Sequence, residues 1–431
     1  MRGRAWTLAA VVCAFAVTGA GCGGGDGEGE RASGTIDFMV FGEPEELKAY
    51  REVIRTFKEE EPGITVKLIE ASDRDDLLAR LSTSFAGGTP PDLFLLNYRF
   101  YGQFASRGVL EPVQERLDES DTFSEGDFYE QALEAFRRDG ELICLPQNIS
   151  SLVVYYNRDL FRRARVPEPK AGWAWNDMVE KAIRLTTDED EDGNIDRYGL
   201  GVEPSIIRLA PFVWSNGGEL VDDEEQPTRL TLDTPEAQQA MQAFFDLRDK
   251  HLVIPSDQER EAEDEETRFL NGSLAMVLSS RRSTPSFRTI TTFDWDIAPL
   301  PRHKRPAGIL HSDAYCMTKA SERKAAAWRF MEFALSAEGQ RITARSGRTV
   351  PSLKEVAESS AFLDPAAKPA SSRVFLDTID VIRRVPNIST WPEIEDAAEG
   401  IIETGLYQGV SADAAARKLT ADTKPMFARA K

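Results

Sequence analysis

The sequence predicts an α/β protein built as two lobes, and three observations carry that expectation. Residues 36–96 alternate β-α-β-α-β with short connections, the pattern of a mainly parallel sheet with helices on its faces. The chain has 431 residues, more than one core serves, since single cores stop growing at about 250–300 residues. Finally, Leu142–Phe161 places two apolar, strand-like runs on either side of a polar elbow containing Gln147, Asn148 and Ser150. Such a pair is either a hairpin or a crossover between lobes. The crossover is the reading adopted, with the elbow facing a cleft.

Taken in order, Ile36–Phe41 is an apolar strand that Gly42-Glu43-Pro44 breaks. Leu47, Tyr50, Ile54 and Phe57 then recur at helical spacing over Glu45–Glu60. After the Pro62-Gly63 turn, Ile64–Ile69 alternates as a strand, Asp75–Ala86 is helical up to Gly87-Gly88, and Asp92–Leu96 is a third strand. Ligands of such open sheets sit beyond the carboxyl ends of strands, which here are Phe41-Gly42-Glu43 and Asn97-Tyr98-Arg99. Phe100–Leu117 predicts helix and turn, and Phe123–Arg138 a further helix. Beyond the elbow come helical Asp177–Leu185, strand Tyr198–Val202, helices Pro235–His251 and Glu263–Asn271, and strands Leu274–Leu278 and Trp295–Ile297. Pro299 and Pro301 mark a second crossover, and strand Ala314–Thr318 with helix Lys324–Leu335 returns to the first lobe. Ser371–Arg383, Ile394–Leu406 and Ala412–Phe427 are helical. The expected division is a first lobe of residues 35–146 and 300–348, and a second of 147–299 and 349–431.

With 72 acidic against 52 basic residues, nucleic acid and anionic membrane surfaces are unsuited as main partners. Mean hydropathy is -0.37, which describes a soluble body. Residues 1–21 have the form of an export signal: Arg2 and Arg4, an apolar run from Ala5 to Ala20, then Gly21-Cys22. Together with the Gly- and acid-rich tether of residues 22–34, this resembles a bacterial lipoprotein start, with Cys22 carrying the lipid. Gly19 stands where a large aliphatic is usual. The alternative is a cleaved secretory signal without lipid. Export permits a disulfide between Cys144 and Cys316; the other reading is two separate buried thiols.

Seven stretches, in order along the chain, carry a family likeness. They are FKEEEPGITVKL at Phe57–Leu68, FAGGTPPDLFLLN at Phe85–Asn97, SLVVYYNRDLF at Ser151–Phe161, AGWAWNDMVEKAIRLT at Ala171–Thr186, FLNGSLAMVLSS at Phe269–Ser280, DIAPLP at Asp296–Pro301 and AAAWRFMEFALSAEGQ at Ala325–Gln340. The chain resembles bacterial extracellular solute-binding proteins of family 1, the sugar-binding lipoproteins of ABC importers. The resemblance implies a two-lobed periplasmic-binding-protein type II fold, each lobe a mixed, mainly parallel sheet flanked by helices and joined by hinge crossovers. It also implies capture of a carbohydrate between closing lobes and delivery to a membrane permease, by a monomer lipid-anchored to the outer face of the cytoplasmic membrane.

Sugars are held by aromatic faces and by amides, carboxylates and guanidinium groups. The maltose-binding branch of the family has a Pro-Asn-Ile followed by a stacking aromatic, a role that falls here on Trp391; its ligand carboxylates fall on Glu43 and Glu203. Asn97, Tyr98, Asn148, Ser150, Trp214, Asp313 and Tyr315 complete the neutral and acidic candidates, the last two in a polar loop with His311 and Ser312. Arg281 and Arg282 stand where many relatives carry Gly-Trp, which points to a different sugar or to an anionic one held by a guanidinium fork. Trp173 and Trp175, before a helix, are structural. Thr187–Asp196 follows the opening of a calcium loop with Asp188, Asp190, Asp192, Asn194 and Asp196. Its twelfth position is Gly199 rather than a bidentate Glu. No other cofactor is expected. No nucleophile, P-loop or metal pattern appears around the three histidines. The rival readings are a carbohydrate hydrolase using a carboxylate pair such as Glu43 and Glu203, and a ligand-sensing surface lipoprotein without a transporter.

Overall fold

The structure, a computed structural model, describes residues 32–430. The signal segment 1–21, Cys22 and most of the tether lie outside the described residues. Among the described residues no helix is long and apolar enough to cross a membrane.

Two separate main sheets organise the chain. The first contains β1 (Gly34–Phe41), β2 (Ile64–Ala71), β3 (Leu93–Asn97) and β4 (Leu110–Glu111). β1 pairs in parallel with both β2 and β3, through the connecting helices Pro44–Glu60 and Arg74–Ala86. The strands read as near-continuous apolar runs because helices cover their faces. A hairpin follows, β5 (Arg137–Arg138) with β6 (Glu141–Leu142). The single helix expected over Phe123–Arg138 is therefore broken. Ser124 and Asp127 close a capping box on a one-turn helix, Glu130–Glu134 is helical, and Asp139 (φ 53°) and Gly140 (φ 83°) make the turn. Two positive-φ residues are what a tight hairpin needs.

β7 (Cys144–Pro146) still belongs to the first sheet, whereas β8 (Val153–Asn157) is the central strand of the second. There β8 runs antiparallel to β9 (Met276–Ser279) and β10 (Trp295–Pro299). The two runs around the polar elbow thus lie in different sheets. The expected strand Tyr198–Val202 shrinks to bridges, Tyr198 with Leu274 and Gly201 with Val277. The chain re-enters through β11 (Gly308–Ile309) and β12 (Asp313–Thr318). β12 pairs antiparallel with β3, β4 and β7, which makes the first sheet mixed. Of the helix expected over Ser371–Arg383, only Arg373–Asp377 and one turn at Ile379–Val381 form, because Ile382–Arg383 becomes β13 beside β11. Helices Ile206–Ser215, Pro235–Asp249, Trp391–Tyr407 and Ala412–Arg429 pack on one another.

Cys144 and Cys316 face each other in the β7–β12 ladder, 4.6 Å apart at Cα, and form a disulfide across a sequence separation of 172. It ties the outgoing pass of the chain to the returning one. Closing so long a loop removes conformational freedom from the unfolded chain, worth up to about 5 kcal/mol in the chain-entropy account. Denaturant unfolding with and without reductant should show a loss of several kcal/mol on reduction (~2–5). Coincident curves, with two thiols reactive before reduction in the unfolded body, would contradict this staple.

Candidate functional site

The polar elbow and the returning strand build one wall of the site. Ser150 and His311 exchange both backbone hydrogen bonds at 2.8 Å. This brings Asn148 against Asp313: the Asn148 amide donates to Asp313 Oδ2 at 3.1 Å, and the Asp313 backbone N–H donates to Asn148 Oδ1 at 3.1 Å. Asn97, at the end of β3, donates to the other Asp313 oxygen at 2.9 Å while capping the helix Tyr98–Ala105 through the Arg99 backbone N–H. Asn97, Asn148 and Asp313 thus meet as anticipated. Ser150 sits in the same elbow, 5% exposed, with its hydroxyl on the Ser151 carbonyl.

Glu43 is brought to the strand end but stays exposed and makes no capping bond. The buried carboxylate there is Glu46, one turn on. It accepts from Arg348 Nε at 2.8 Å and from the Tyr50 hydroxyl at 3.0 Å. Burial raises the Glu46 pKa, against the lowering pull of Arg348. The network continues through Gln147 to the Tyr315 hydroxyl.

Glu203 lies just before the helix Ile206–Ser215. Its carboxylate is 2.9 Å from Arg208, which is 5% exposed, while 44% of the Glu203 side chain meets solvent. Burial pushes the Glu203 pKa up, but Arg208, Arg282 and Arg99 outweigh it and hold the carboxyl below its ordinary value. Arg99 comes from the first sheet, Arg208 and Arg282 from beside the second, so their charges converge from both lobes. Their common neighbour is His311, whose pKa is driven down by burial and then by Arg208, Arg99, Arg282 and Arg348. It is a neutral imidazole with a buried, unpartnered Nε2. Arg99 also reaches Glu395 on the helix Trp391–Tyr407 at 2.6 Å.

The four aromatic candidates, Tyr98, Trp214, Tyr315 and Trp391, are all buried. Trp391 is fully buried and spends its indole N–H on Glu395. Tyr315 is fully buried, stacked on Phe38 with centroids 5.2 Å apart, and Tyr98 is fully buried too. Trp214 lies under the Arg383 guanidinium and lines a depression of about 400 Å³ with Glu219, Arg305 and Asp380. Core packing claims the rings of Tyr98, Tyr315 and Trp391, whereas Trp214 lines the depression. The adjacent arginines point opposite ways. Arg281 is a core residue between Phe362 and Phe375, its guanidinium pulled down to about 9 by burial. Arg282 faces the groove and pairs with Glu266 at 3.5 Å. Sequence reasoning passed over Arg99, Arg208, Arg348, Glu46 and Glu395. Arg99 was signalled by its place at the end of a parallel strand; the others carry no local signature.

In the acidic loop, carboxylate oxygens of Asp188, Asp190 and Asp196 lie within 4.8 Å of one another. Asp192 and Asn194 do not join them. Asp192 instead accepts from the Asn194 backbone N–H, and the Gly199 backbone N–H donates to the Thr186 hydroxyl. Three carboxylates are the part of a calcium set that the loop assembles; calcium takes about 6–8 oxygens.

Comparisons with known proteins agree with this architecture. A family model described as bacterial extracellular solute-binding protein matches residues 42–341. The chain is 26% identical over 367 residues to a putative binding protein of Brucella abortus, covering 84% of this chain and 85% of that one. It is 24% identical over 313 residues to a maltotriose-binding protein of Pyrococcus abyssi, covering 70% of this chain and 63% of that one. Among solved structures, an ABC substrate-binding protein of Listeria monocytogenes in complex with cycloalternan superposes with a TM-score of 0.83. It is 25% identical and covers 91% of this chain and 98% of its own.

Burial gives Trp391 a part in the stability of the fold. Trp391→Ala should destabilise the fold by about 3–5 kcal/mol, as deletion of a buried indole does, measured by denaturant unfolding. Unchanged stability with weakened saccharide binding would instead restore the stacking role.

Proposed function

This chain belongs to the bacterial extracellular solute-binding protein family, and from that premise we propose that it is the extracytoplasmic sugar-binding subunit of an ABC importer. It is a binding protein, not an enzyme. The observation that carries the reading is the convergence of Arg99 from one lobe with Glu203, Arg208 and Arg282 from the other, around His311 where the chain crosses between them. Paired guanidinium and carboxylate groups supply donors and acceptors together. A sugar hydroxyl needs both, and mismatched ligands leave them unpaired at a cost. Ligands named for relatives, a maltotriose and a cyclic oligosaccharide, support an oligosaccharide here.

The mechanism is capture by closure. Lobe 1, residues 35–146 and 300–348, and lobe 2, residues 147–299 and 349–431, rotate about the crossover passes and shut on the sugar. Closure removes water from the ion pairs and strengthens each hydrogen bond to the ligand. The closed protein then hands its cargo to the permease. Cys22 anchors it, after removal of residues 1–21, through the tether of residues 22–34. The anchored protein works as a monomer on the outer face of the cytoplasmic membrane. Hydrolysis is disfavoured by the state of Glu203. A general acid needs a raised pKa, and three arginines lower this one.

The reading is tested by incubating the mature protein with maltotriose, maltodextrins and cyclic α-glucans, following melting temperature and reducing ends together. The expected result is a raised melting temperature with saccharide recovered intact. Release of reducing ends, or no shift across the panel, would overturn it.

A further inference from the structure

The helix Tyr98–Ala105 starts at the end of β3, carries Arg99 and has a glycine inside it, Gly102. Glycine in a helix interior is costly relative to alanine, so the position needs a physical reason. Its neighbours supply one. A Cβ at 102 would stand 2.7 Å from the Asn387 carbonyl oxygen, and 2.7 Å from both the carbonyl carbon and the carbonyl oxygen of Ile388. These are main-chain atoms, which cannot swing aside as the tip of a side chain can. The backbone of the helix therefore rests directly on the backbone of residues 387–388.

The two sides of this contact lead to different parts of the chain. The helix follows β3 of the first sheet, and its Tyr101 ring meets Phe136 edge-on with centroids 5.7 Å apart. Residues 387–388 connect β13 to the helix Trp391–Tyr407, which packs on the helices Ile206–Ser215 and Pro235–Asp249. Three contacts join the sides. Gly102 meets Asn387 and Ile388, the Asn387 amide donates to the Ala135 carbonyl at 2.7 Å, and Arg99 pairs with Glu395 at 2.6 Å. Arg99 and Gly102 are three residues apart and so are neighbours on the helix surface. The ion pair and the backbone contact thus form one joint. Its polar atoms are incompletely matched: Asn387 Oδ1 and the Tyr101 hydroxyl are buried without a hydrogen-bond partner. Unpaired buried polar atoms are costly, and water would relieve that cost if the joint parted. The contact is tight in its backbone and weak in its polar groups, so a small bias can open it.

We propose that this joint is a latch between the lobes, which sets saccharide affinity from outside the groove. The inference rests on the sugar-binding reading and on its two moving lobes. With the latch made, Arg99 is held toward the lobe that carries Glu203, Arg208 and Arg282. When it parts, Gly102 leaves Asn387, Arg99 leaves Glu395, and water reaches Asn387 Oδ1. Observed affinity scales with the fraction of molecules whose lobes are joined. Gly102 is therefore a positioning residue, acting through Arg99 and without touching the ligand.

The test is Gly102→Ala in the mature protein, read by small-angle X-ray scattering without sugar and by calorimetry with maltotriose. The added methyl wedges the joint. The unbound variant should have a larger radius of gyration than the parent and bind maltotriose about tenfold more weakly, the factor that ~1.4 kcal/mol of overpacking gives. Asn387→Ala, which removes the bond to Ala135 without adding bulk, should move both readouts the same way; it carries the test should Gly102→Ala fail to fold. A lower melting temperature with an unchanged radius of gyration would make Gly102 a packing residue of the first lobe and overturn the latch. So would unchanged affinity and radius, or tighter binding, which would assign the joint to the open form. If neither maltotriose nor any other saccharide binds the parent, the sugar-binding reading fails, and the scattering comparison alone decides the joint.

Discussion

The structure depends on two chain passes that hydrogen-bond to each other where they leave one sheet for the other. Ser150 and His311 exchange both backbone bonds, and a few residues away the Cys144–Cys316 disulfide locks β7 against β12. Backbone groups at a junction between two cores must find partners or water. By pairing across the passes, the chain satisfies them and fixes the elbow at the same time. The Ser312 hydroxyl adds a bond to the Asn148 carbonyl at 2.7 Å. The side chains that project from this junction are therefore held before any ligand arrives. Asn148, Asp313 and His311 owe their positions to it.

From that junction the charges follow. His311 occupies a place where four arginines act on it, which an imidazolium could not share. Burial first, and then the fields of Arg208, Arg99, Arg282 and Arg348, drive its pKa down. Each of the four has a carboxylate partner, which offsets the cost of burying the guanidinium groups of Arg99, Arg208 and Arg348. The result is a set of ion pairs drawn from both lobes, with Arg99–Glu395 spanning from the helix after β3 to the helix Trp391–Tyr407. Gly102 shows how closely these parts approach: a Cβ there would lie 2.7 Å from the Asn387 carbonyl oxygen. The rings of Tyr98, Tyr315 and Trp391 are withdrawn into the cores, where the family likeness implies stacked platforms.

Much of the architecture was legible because it is local. Apolar runs at period two and stripes at 3.6 gave the β-α-β-α-β opening, and the chain length required a second core. The polar elbow of Gln147, Asn148 and Ser150 marked the junction, although its residues alone suit a hairpin as well as a crossover. What escaped was decided by tertiary contacts. Trp391 follows Pro-Asn-Ile whether its ring is exposed or buried, and the packing of the last helices buries it. Glu43 and Glu46 are one turn apart, and Arg348, some three hundred positions away, selects the second. Arg281 and Arg282 are adjacent and chemically identical, yet a short helical turn sends one between two phenylalanines and the other into the groove. The hairpin at Arg137–Leu142 was hidden because Asp139-Gly140 lies within a stretch whose apolar spacing also suits a helix. The cysteine pairing was open because two cysteines in an exported chain are equally consistent with separate thiols.

The central claim is that two lobes joined at the Ser150–His311 junction close around a saccharide held by ion pairs from both. Small-angle X-ray scattering of the mature protein, with and without a saturating saccharide that raises its melting temperature, tests it most directly. The account predicts a smaller radius of gyration in the bound protein, with the secondary structure unchanged by circular dichroism. An identical scattering profile in the two states would contradict closure.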